Sequence, residues 1–311
     1  MPRPSHFAVL VLTAAVFSAC TPGQQQADKT TLASSVGASE SFRLPPADPD
    51  FNAYWYAGLA EISTYDVTQQ RYNEERPAEQ VNVFVTEDLS RSKQVKLDDP
   101  ASAGDDRVPV LKLNAIRRFH TGIYDYSIVS SVFSPVSGAA ALKTTCTIQD
   151  WCGQVFFQTN LQPDAMRLRG FSYFETEGDT DERLPITLLE DELWNRIRLD
   201  PAKIPVGRVR ILPSVVHARL QHRKAQPEQA HITLQHEGDA QVLRLNYSGA
   251  WRSLAIRFET SPPHRILGWE EIGEKGSLLS KATLKAVRRS AYWAEHDNVH
   301  APLRDSLRLR F

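Results

Sequence analysis

Two nearby cysteines are the most reactive side chains in the central part of the sequence. Cys146 and Cys152 flank residues 148–151, and a hairpin turn there would bring the two thiols face to face. In an exported protein this arrangement predicts a possible disulfide, worth about 2–2.5 kcal/mol in the chain-entropy model. The alternative makes Cys152 a nucleophile activated by His120 or Asp150, which requires the base within hydrogen-bond reach. We expect a disulfide or two inert thiols, and the sequence identifies no catalytic residue.

Carboxylates and histidines supply the other groups that could do chemistry. Glu87 and Asp88 are adjacent carboxylates of the kind that a hydrolase would use as an acid–base pair. The acidic run 175–182 offers oxygen ligands for calcium but lacks the spacing of a calcium-binding loop. His296 and His300 lack the glutamate of the helical zinc motif. We therefore expect a solvated acidic turn and structural histidines, with no metal and no cofactor.

The overall charge is balanced, with 36 Lys and Arg against 37 Asp and Glu and a formal net charge of −1. Proteins that bind nucleic acid usually carry a strongly basic domain, so this balance predicts no nucleic-acid partner. Three basic clusters, 117–118, 219–224 and 288–289, either face anionic lipid headgroups or belong to an ordinary charged surface. Hydrophobic residues make up 41% and charged residues 23% of the chain, which argues against disorder and indicates a globular protein.

The amino terminus has the pattern of an export signal. Arg3 precedes an apolar run, 7–17, about half as long as the roughly 20 residues of a membrane-spanning helix. Small residues then stand before Cys20, as in the bacterial lipobox, although Phe17 takes the place of the usual leucine. We expect cleavage after Ala19 and a diacylglycerol on the Cys20 thiol. The alternative is an ordinary signal peptide whose removal leaves Cys20 free or in a disulfide.

An acylated Cys20 would make the membrane a partner of the protein. Several acyl chains on one cysteine anchor stably, whereas a single chain binds reversibly. Thr21 is not acidic, which in bacterial lipoprotein sorting favours the outer membrane. Residues 20–48 are rich in Gln, Ser, Thr, Ala and Pro, and they predict a flexible tether with a span of about 30 Å. The sequence thus predicts an outer-membrane lipoprotein of the bacterial cell envelope that faces the periplasm.

The residues just described must be positioned mainly by β structure, because apolar and polar residues alternate along most of the body. The clearest alternating runs are 80–86, 108–114 and 123–129, and glycine-containing turns separate many of the strands. We expect a mainly β protein, with a curved antiparallel sheet or open barrel in two strand-rich halves, about 49–200 and 201–311. The sequence contains no glycine-rich nucleotide-binding motif.

One segment has helical periodicity. Apolar residues recur at helical spacing between about 187 and 199, and Thr187 and Glu190 have the spacing of a capping box. We expect this helix, 187–199, to pack on the concave side of the sheet. Residues 215–220 are expected to form a strand and residues 302–310 a short terminal helix.

Several short segments of the body resemble a family of bacterial lipoproteins whose members often carry the transferred name "septum formation inhibitor Maf". These segments are Tyr54–Gly58, Val83–Asp88, Gly122–Ser127, Trp151–Gly153, Leu188–Trp194 and Ile266–Glu271. The resemblance spans the body and implies no activity. True Maf proteins are similar to α/β nucleotide pyrophosphatases with an S-x-S-P-R-R phosphate loop near the amino terminus. That loop is absent from this sequence, and the β-rich pattern disagrees with that fold, so no catalytic residue is carried over.

The leading hypothesis is a non-enzymatic, lipid-anchored envelope protein whose curved sheet binds an apolar ligand or a partner protein near the membrane. The rival is a periplasmic hydrolase that uses Cys152 or a carboxylate pair such as Glu87 and Asp88. A structural assembly factor is a third interpretation, and it predicts co-purifying proteins together with an empty pocket.

Overall fold

The strands of the body follow one another in two runs that are separated by a short helical segment. The computed structural model describes residues 51–310, so the expected signal peptide, Cys20 and the tether lie outside the described residues. The first run comprises β1 Ala60–Arg71, β2 Glu74–Ser90, β3 Arg107–Thr121, β4 Tyr124–Pro135, β5 Lys143–Asp150, β6 Gly153–Leu161, β7 Met166–Ser172 and β8 Thr180–Leu184. The second comprises β9 Leu188–Leu189, β10 Gly207–Leu212, β11 Glu228–Glu237, β12 Ala240–Tyr247, β13 Arg252–Glu259, β14 Ile266–Gly273 and β15 Leu278–Ser290. The α-helices of the described residues are α1 Phe51–Trp55, α2 Leu193–Leu199, α3 Val215–Leu220 and α4 Leu303–Ser306.

All of these strands belong to a single 15-stranded sheet with the order β8-β7-β6-β5-β4-β3-β2-β1-β15-β14-β13-β12-β11-β10-β9. The two runs meet in the middle, where β1 pairs with β15 from Ala60 opposite Ser290 to Gln69 opposite Ser280. Neighbouring strands are antiparallel except β9 and β10, which pair in parallel. The expected mainly β fold, an antiparallel sheet in two strand-rich halves, is confirmed.

The two edges of this sheet are close in sequence, and this closeness requires strong curvature. A flat sheet of 15 strands would be about 67 Å wide at ~4.8 Å between strands. Leu184 ends β8 at one edge and Leu188 begins β9 at the other, and the residues between them span at most about 14 Å. The sheet therefore curls until its edges approach each other. The concave side becomes an interior that can hold the helices and the core.

Alternation along the strands explains why one face lines this interior. On β3, Leu111, Leu113 and Phe119 share one side of the strand and are buried. On β13, the same side carries Leu254, Ile256 and Phe258, which are buried as well. A large apolar cluster formed by such side chains from both runs of strands fills the concave side.

The helix expected over 187–199 is shorter than predicted. Leu188 and Leu189 form β9, residues 190–192 form a 3₁₀ turn, and α2 begins at Leu193. Thr187 does not cap the helix, because its hydroxyl donates to the carbonyl of Arg210 at 2.5 Å. Glu192 accepts from the backbone nitrogen of Leu189 at 3.1 Å instead. Pairing with β10 therefore takes the residues that the sequence pattern assigned to the first helical turn.

Two other expectations about local structure need correction. Residues 215–220 form the helix α3 rather than a strand, because the hydroxyl of Ser214 accepts from the backbone nitrogen of Val216 at 3.2 Å and caps the helix. The sheet therefore carries more than the one expected helix. The terminal helix is confirmed only as a short element, α4, within the predicted range 302–310.

A buried ion pair fixes α2 to the centre of the sheet. Arg198 on α2 donates to Glu61 on β1 through Nη1 at 2.5 Å and through Nη2 at 2.6 Å. Both side chains are fully buried, and Tyr54 also donates its hydroxyl proton to Glu61. On the same helix, Asn195 donates to the carbonyl of Leu111 at 2.9 Å. These contacts hold the segment that carries Glu190, Asp191 and Trp194 against the sheet.

Candidate functional site

A cavity of ≈ 80 Å³ lies on the concave side, between the central strands and the residues around α2 and α3. A space of this size holds about six water molecules, or a ligand with a similar number of non-hydrogen atoms. Gln221, which is exposed, and Leu279 at the start of β15 also line it. The cavity therefore reaches the surface at the end of the sheet where β1 ends and β15 begins.

Aromatic side chains form the apolar wall of the cavity. The rings of Trp194 and Trp269 meet edge to face, with centroids 5.0 Å apart. Trp269 also packs against Tyr65, with the ring centroids 5.0 Å apart. Other apolar side chains complete this wall, namely Leu113, Ala115, Ile128, Val132, Val216 and Leu254. Such a surface accommodates the hydrocarbon part of a ligand.

A network of buried charges forms one end of the cavity. Arg252 at the start of β13 donates to both oxygens of Glu190, at 2.5 Å and 2.6 Å. Its Nε donates to Glu271 at 2.6 Å, and the hydroxyl of Tyr247 donates to Glu190 at 2.5 Å. Both carboxylates are thus paired with the guanidinium of Arg252, and we assign this part of the lining a structural role.

His217 extends this network toward the cavity. Its Nδ1 contacts Glu271 at 2.8 Å, and the hydroxyl of Ser280 donates to the same carboxylate at 3.0 Å. Burial favours the neutral carboxyl, but Arg252 and His217 outweigh burial and hold the pKa of Glu271 well below its usual range. The Nε2 atom of His217 is buried without a hydrogen-bond partner among residues 51–310. This nitrogen is available to a bound ligand.

Arg117 contributes a cation that the protein does not neutralise. Its Nε donates to the side-chain oxygen of Gln80 at 2.7 Å and its Nη1 to that of Gln69 at 2.6 Å. Within the described part of the chain, no carboxylate forms an ion pair with Arg117, and Nη2 makes no hydrogen bond. Burial lowers the pKa of this guanidinium, and the negative charge of Glu271 only partly opposes that effect. The side chain still remains charged, because arginine is not deprotonated in proteins.

Asn82 and Asp191 complete the polar lining. The side-chain oxygen of Asn82 accepts from Gln80 at 2.8 Å, whereas its Nδ2 is buried without a partner in the described region. Burial raises the pKa of Asp191 to about 6, although the Ser214 hydroxyl and the backbone N–H of Val215 favour the ionised form. The cavity therefore offers a fixed positive charge, an unused amide donor and a carboxyl that titrates near neutral pH.

Cys146 and Cys152 do not face each other in the structure. The hairpin turns at Trp151 and Cys152, so Cys146 lies opposite Phe157 rather than opposite Cys152. Both thiols are free in this structure, Cys146 buried and Cys152 exposed. Burial raises the pKa of Cys146 to about 12, and the negative charge of Asp150 raises the pKa of Cys152. Neither thiol is activated as a nucleophile by its surroundings.

The other residues considered from sequence do not converge on one site. Glu87 and Asp88 are adjacent on β2, so their side chains point to opposite faces, where Glu87 contacts Lys112 at 2.6 Å and Asp88 contacts Arg107 at 2.9 Å. His120 hydrogen-bonds to Asp125 on the neighbouring strand. Cys20, the expected lipidation site, lies outside the described residues.

Sequence reasoning missed the residues that line the cavity. Arg117 was interpreted only as part of a basic cluster, and Glu190 as part of a capping box. A usable signal was present, because Arg117 follows Leu111 and Leu113 with the same even spacing on β3. A charged residue at an inward-facing position of a strand indicates a paired or functional charge.

No model of a protein family matches the chain, and no curated protein matches it. None of the helices in residues 51–310 is long and apolar enough to cross a membrane. The same residues contain no group of three or more His, Cys, Asp or Glu side chains that could hold a metal ion.

Proposed function

We propose that this chain is a lipid-anchored, non-enzymatic binding protein of the bacterial cell envelope that holds a small organic carboxylate in the interior cavity. Arg117 is the observation that carries the proposal. A guanidinium that is half-buried and has no carboxylate partner is costly unless a ligand supplies the anion. A bound carboxylate would accept from Nη2 of Arg117, and Nδ2 of Asn82 is a further unused donor in the same lining.

The opposite wall supports a ligand with an apolar part. Trp194 and Trp269 present their rings to the cavity and would pack against a short hydrocarbon chain. The ≈ 80 Å³ volume limits the enclosed part to about six non-hydrogen atoms. We therefore expect a carboxylate of about four carbons, or a longer molecule that extends through the mouth near Gln221.

Exposed apolar side chains surround the end of the sheet at which the cavity opens, and they favour a location near a membrane. The hairpin turns after β1, β3, β5 and β7 all lie at this end, because consecutive strands are antiparallel. Their exposed apolar side chains are Tyr72, Ile123, Trp151 and Tyr173, with exposed fractions of 54%, 85%, 69% and 72%. Aromatic residues at such positions are typical of membrane interfaces. The lipobox-like residues before Cys20 and the resemblance to bacterial lipoproteins agree with this location.

Thermal unfolding of the full-length protein in detergent tests the ligand. Linear carboxylates of two to eight carbons are compared with the matching primary amides, which share the shape but lack the charge. The proposal predicts that the midpoint rises with the carboxylates of intermediate length and not with their amides. Equal shifts for acids and amides, or no shift with any member of the series, would contradict it.

The lipid anchor needs a separate test. Cells that express the chain are labelled with radioactive palmitate, and Cys20→Ser is the control. We expect label on the wild type, none on the variant, and recovery of the wild type with the outer membrane. An unlabelled wild-type protein that is recovered from the cytosol would overturn the anchor.

A further inference from the structure

A second, larger recess lies on the outer face of the sheet, at the end opposite to the mouth of the interior cavity. This groove has a volume of ≈ 680 Å³ and is lined by the start of β5, the end of β6, the start of β7 and the segment that joins β2 to β3. Lys143, Asn160 and Arg167 lie opposite one another on three neighbouring strands. Thr144 and Cys146, which alternate with Lys143, are buried, so this row faces outward.

The lining of the groove is strongly cationic. Its basic side chains are Arg91, Lys93, Lys143, Arg167 and Arg169, and its one carboxylate is Asp106. Asp106 is already engaged, because it accepts from the hydroxyl of Ser90 at 2.5 Å and from the backbone nitrogen of Ser92 at 2.8 Å. Arg167 is paired with Asp181 at 2.8 Å. The other four cations form no ion pair with any residue in the range 51–310.

Lys143 and Arg169 form the centre of this charge. Nζ of Lys143 donates to the carbonyl of Gln94 at 3.3 Å, and Nη2 of Arg169 donates to Asn160 at 3.1 Å. Nε of Arg169 is buried and has no hydrogen-bond partner in the described structure. Burial and the neighbouring Arg169 lower the pKa of Lys143. Two like charges held together in this way repel each other unless an anion lies between them.

The groove is also held in shape before any ligand arrives. Gln94 donates to the carbonyl of Leu161 at 2.5 Å and accepts from Asn160 at 2.6 Å. These bonds fasten the segment between β2 and β3 to the end of β6. The cationic side chains therefore sit on a fixed wall rather than on a free loop, which lowers the entropic cost of binding.

We infer that this groove binds a ligand that bears phosphate groups. Phosphate oxygens match both the planar donors of arginine and the point charge of lysine, and several unpaired cations favour an anion of more than one charge. The volume of ≈ 680 Å³ lies in the range of about 300–1,000 Å³ that is typical of pockets for small ligands. This site goes beyond the proposed function, because it shares no lining residue with the interior cavity and faces the other side of the sheet.

Calorimetric titration of the full-length protein with inorganic pyrophosphate tests the inference. The groove variants are Lys143→Gln and Arg169→Gln, and Arg208→Gln on β10 is the matched control, because Arg208 is an exposed strand arginine outside the groove. We expect both groove variants to weaken binding at least tenfold and the control to leave it unchanged. Thermal unfolding without anions provides a second readout, and we expect Lys143→Gln to unfold at the same or a higher temperature because a repulsion is removed.

Vesicle binding distinguishes the two possible sources of the phosphate group, a lipid headgroup and a soluble compound. Flotation of the Cys20→Ser chain is compared between phosphatidylcholine vesicles and vesicles that also contain phosphatidylglycerol, with the same groove variants. Binding to the anionic vesicles that the groove variants lose identifies a lipid headgroup, whereas pyrophosphate binding without vesicle binding identifies a soluble phosphate compound. Failure of the wild type to bind pyrophosphate and anionic vesicles alike, or equal binding by the groove variants and the wild type, overturns the inference. None of these outcomes affects the proposal that the interior cavity binds a carboxylate.

Discussion

Arg117 is held by Gln80 through a hydrogen bond of 2.7 Å from Nε to the amide oxygen, and no carboxylate of the described residues neutralises it. An amide oxygen fixes the direction of a guanidinium without cancelling its charge. Arg252, by contrast, is neutralised by Glu190 and Glu271 in the same lining. The lining of the interior cavity thus contains one arginine that is neutralised, Arg252, and one that is positioned but unpaired, Arg117.

Replacing Arg117 distinguishes a binding role from a structural role. We expect Arg117→Met to change the free energy of unfolding by less than about 1 kcal/mol, because removal of a half-buried, unpaired charge offsets the lost bonds to Gln69 and Gln80. The same variant should lose the stabilisation by carboxylates. Urea unfolding with and without the carboxylate measures the free energy of unfolding and its increase on ligand binding. Arg118→Met, on the outward-facing side of β3, is the control. A loss of about 3 kcal/mol or more without ligand would indicate a structural role.

Asp191 makes the stability of the protein depend on pH. Its pKa of about 6 in the folded state exceeds the value of about 3.9 expected in the unfolded chain. The folded state therefore binds the proton more tightly, and this stabilisation, complete below about pH 4, is lost as the pH rises through about 6. Relative to Asp191→Asn, the wild type should lose roughly 2–3 kcal/mol between pH 4 and pH 7. Urea unfolding across this range measures the difference, with the exposed Asp239→Asn as control, and parallel curves for wild type and Asp191→Asn would contradict it.

The ion pair between Arg198 and Glu61 should behave as a buried unit. Arg198→Met leaves the buried Glu61 carboxylate without its cation, and we expect a loss of about 3–5 kcal/mol. Adding Glu61→Gln should restore part of that loss, because the second change removes the stranded charge. Urea unfolding of the single variants and the double variant gives the coupling between the two positions. If the effects of the two single changes simply add, the pair is not the unit that the geometry indicates.

The two cysteines should differ sharply in reactivity toward iodoacetamide. Cys152 is exposed at a hairpin turn, whereas Cys146 is buried and burial raises its pKa to about 12. We expect the native, unreduced protein to be alkylated at Cys152, slowly because Asp150 raises the pKa of that thiol, and at Cys146 only after unfolding. Peptide mass spectrometry identifies the modified residues. Modification of either residue that requires prior reduction would instead establish the disulfide expected from the sequence.

The sequence allowed the fold class and a curved sheet to be predicted, but not which strands pair to close the interior around the site. Alternating apolar residues and glycine-containing turns are local signals, so the antiparallel strands could be recognised one by one. The pairing of β1 with β15 joins residues far apart in the chain, and no local pattern encodes it. The start of α2 was misplaced for a similar reason, since the pairing of Leu188 and Leu189 with β10 overrides their helical periodicity.

The candidate site was harder to predict because its residues come from both runs of strands. Arg117 and Glu271 are remote in sequence, and each looks ordinary among the many charged residues of a neutral protein. The cysteines attracted attention because their chemistry is unusual, although their positions on β5 and its turn separate them. An inward-facing charge on a strand is the one local feature that could have indicated the cavity, and Arg117 has it.

A crystal structure of the full chain with a bromine-labelled short carboxylate, such as a bromobutyrate, tests the central claim most directly. The anomalous signal of bromine locates the hydrocarbon part independently of the carboxylate density. We predict bromine beside Trp194 and Trp269, with the carboxylate on Arg117. Bromine found elsewhere, or a cavity that contains only water at saturating carboxylate, would contradict the account.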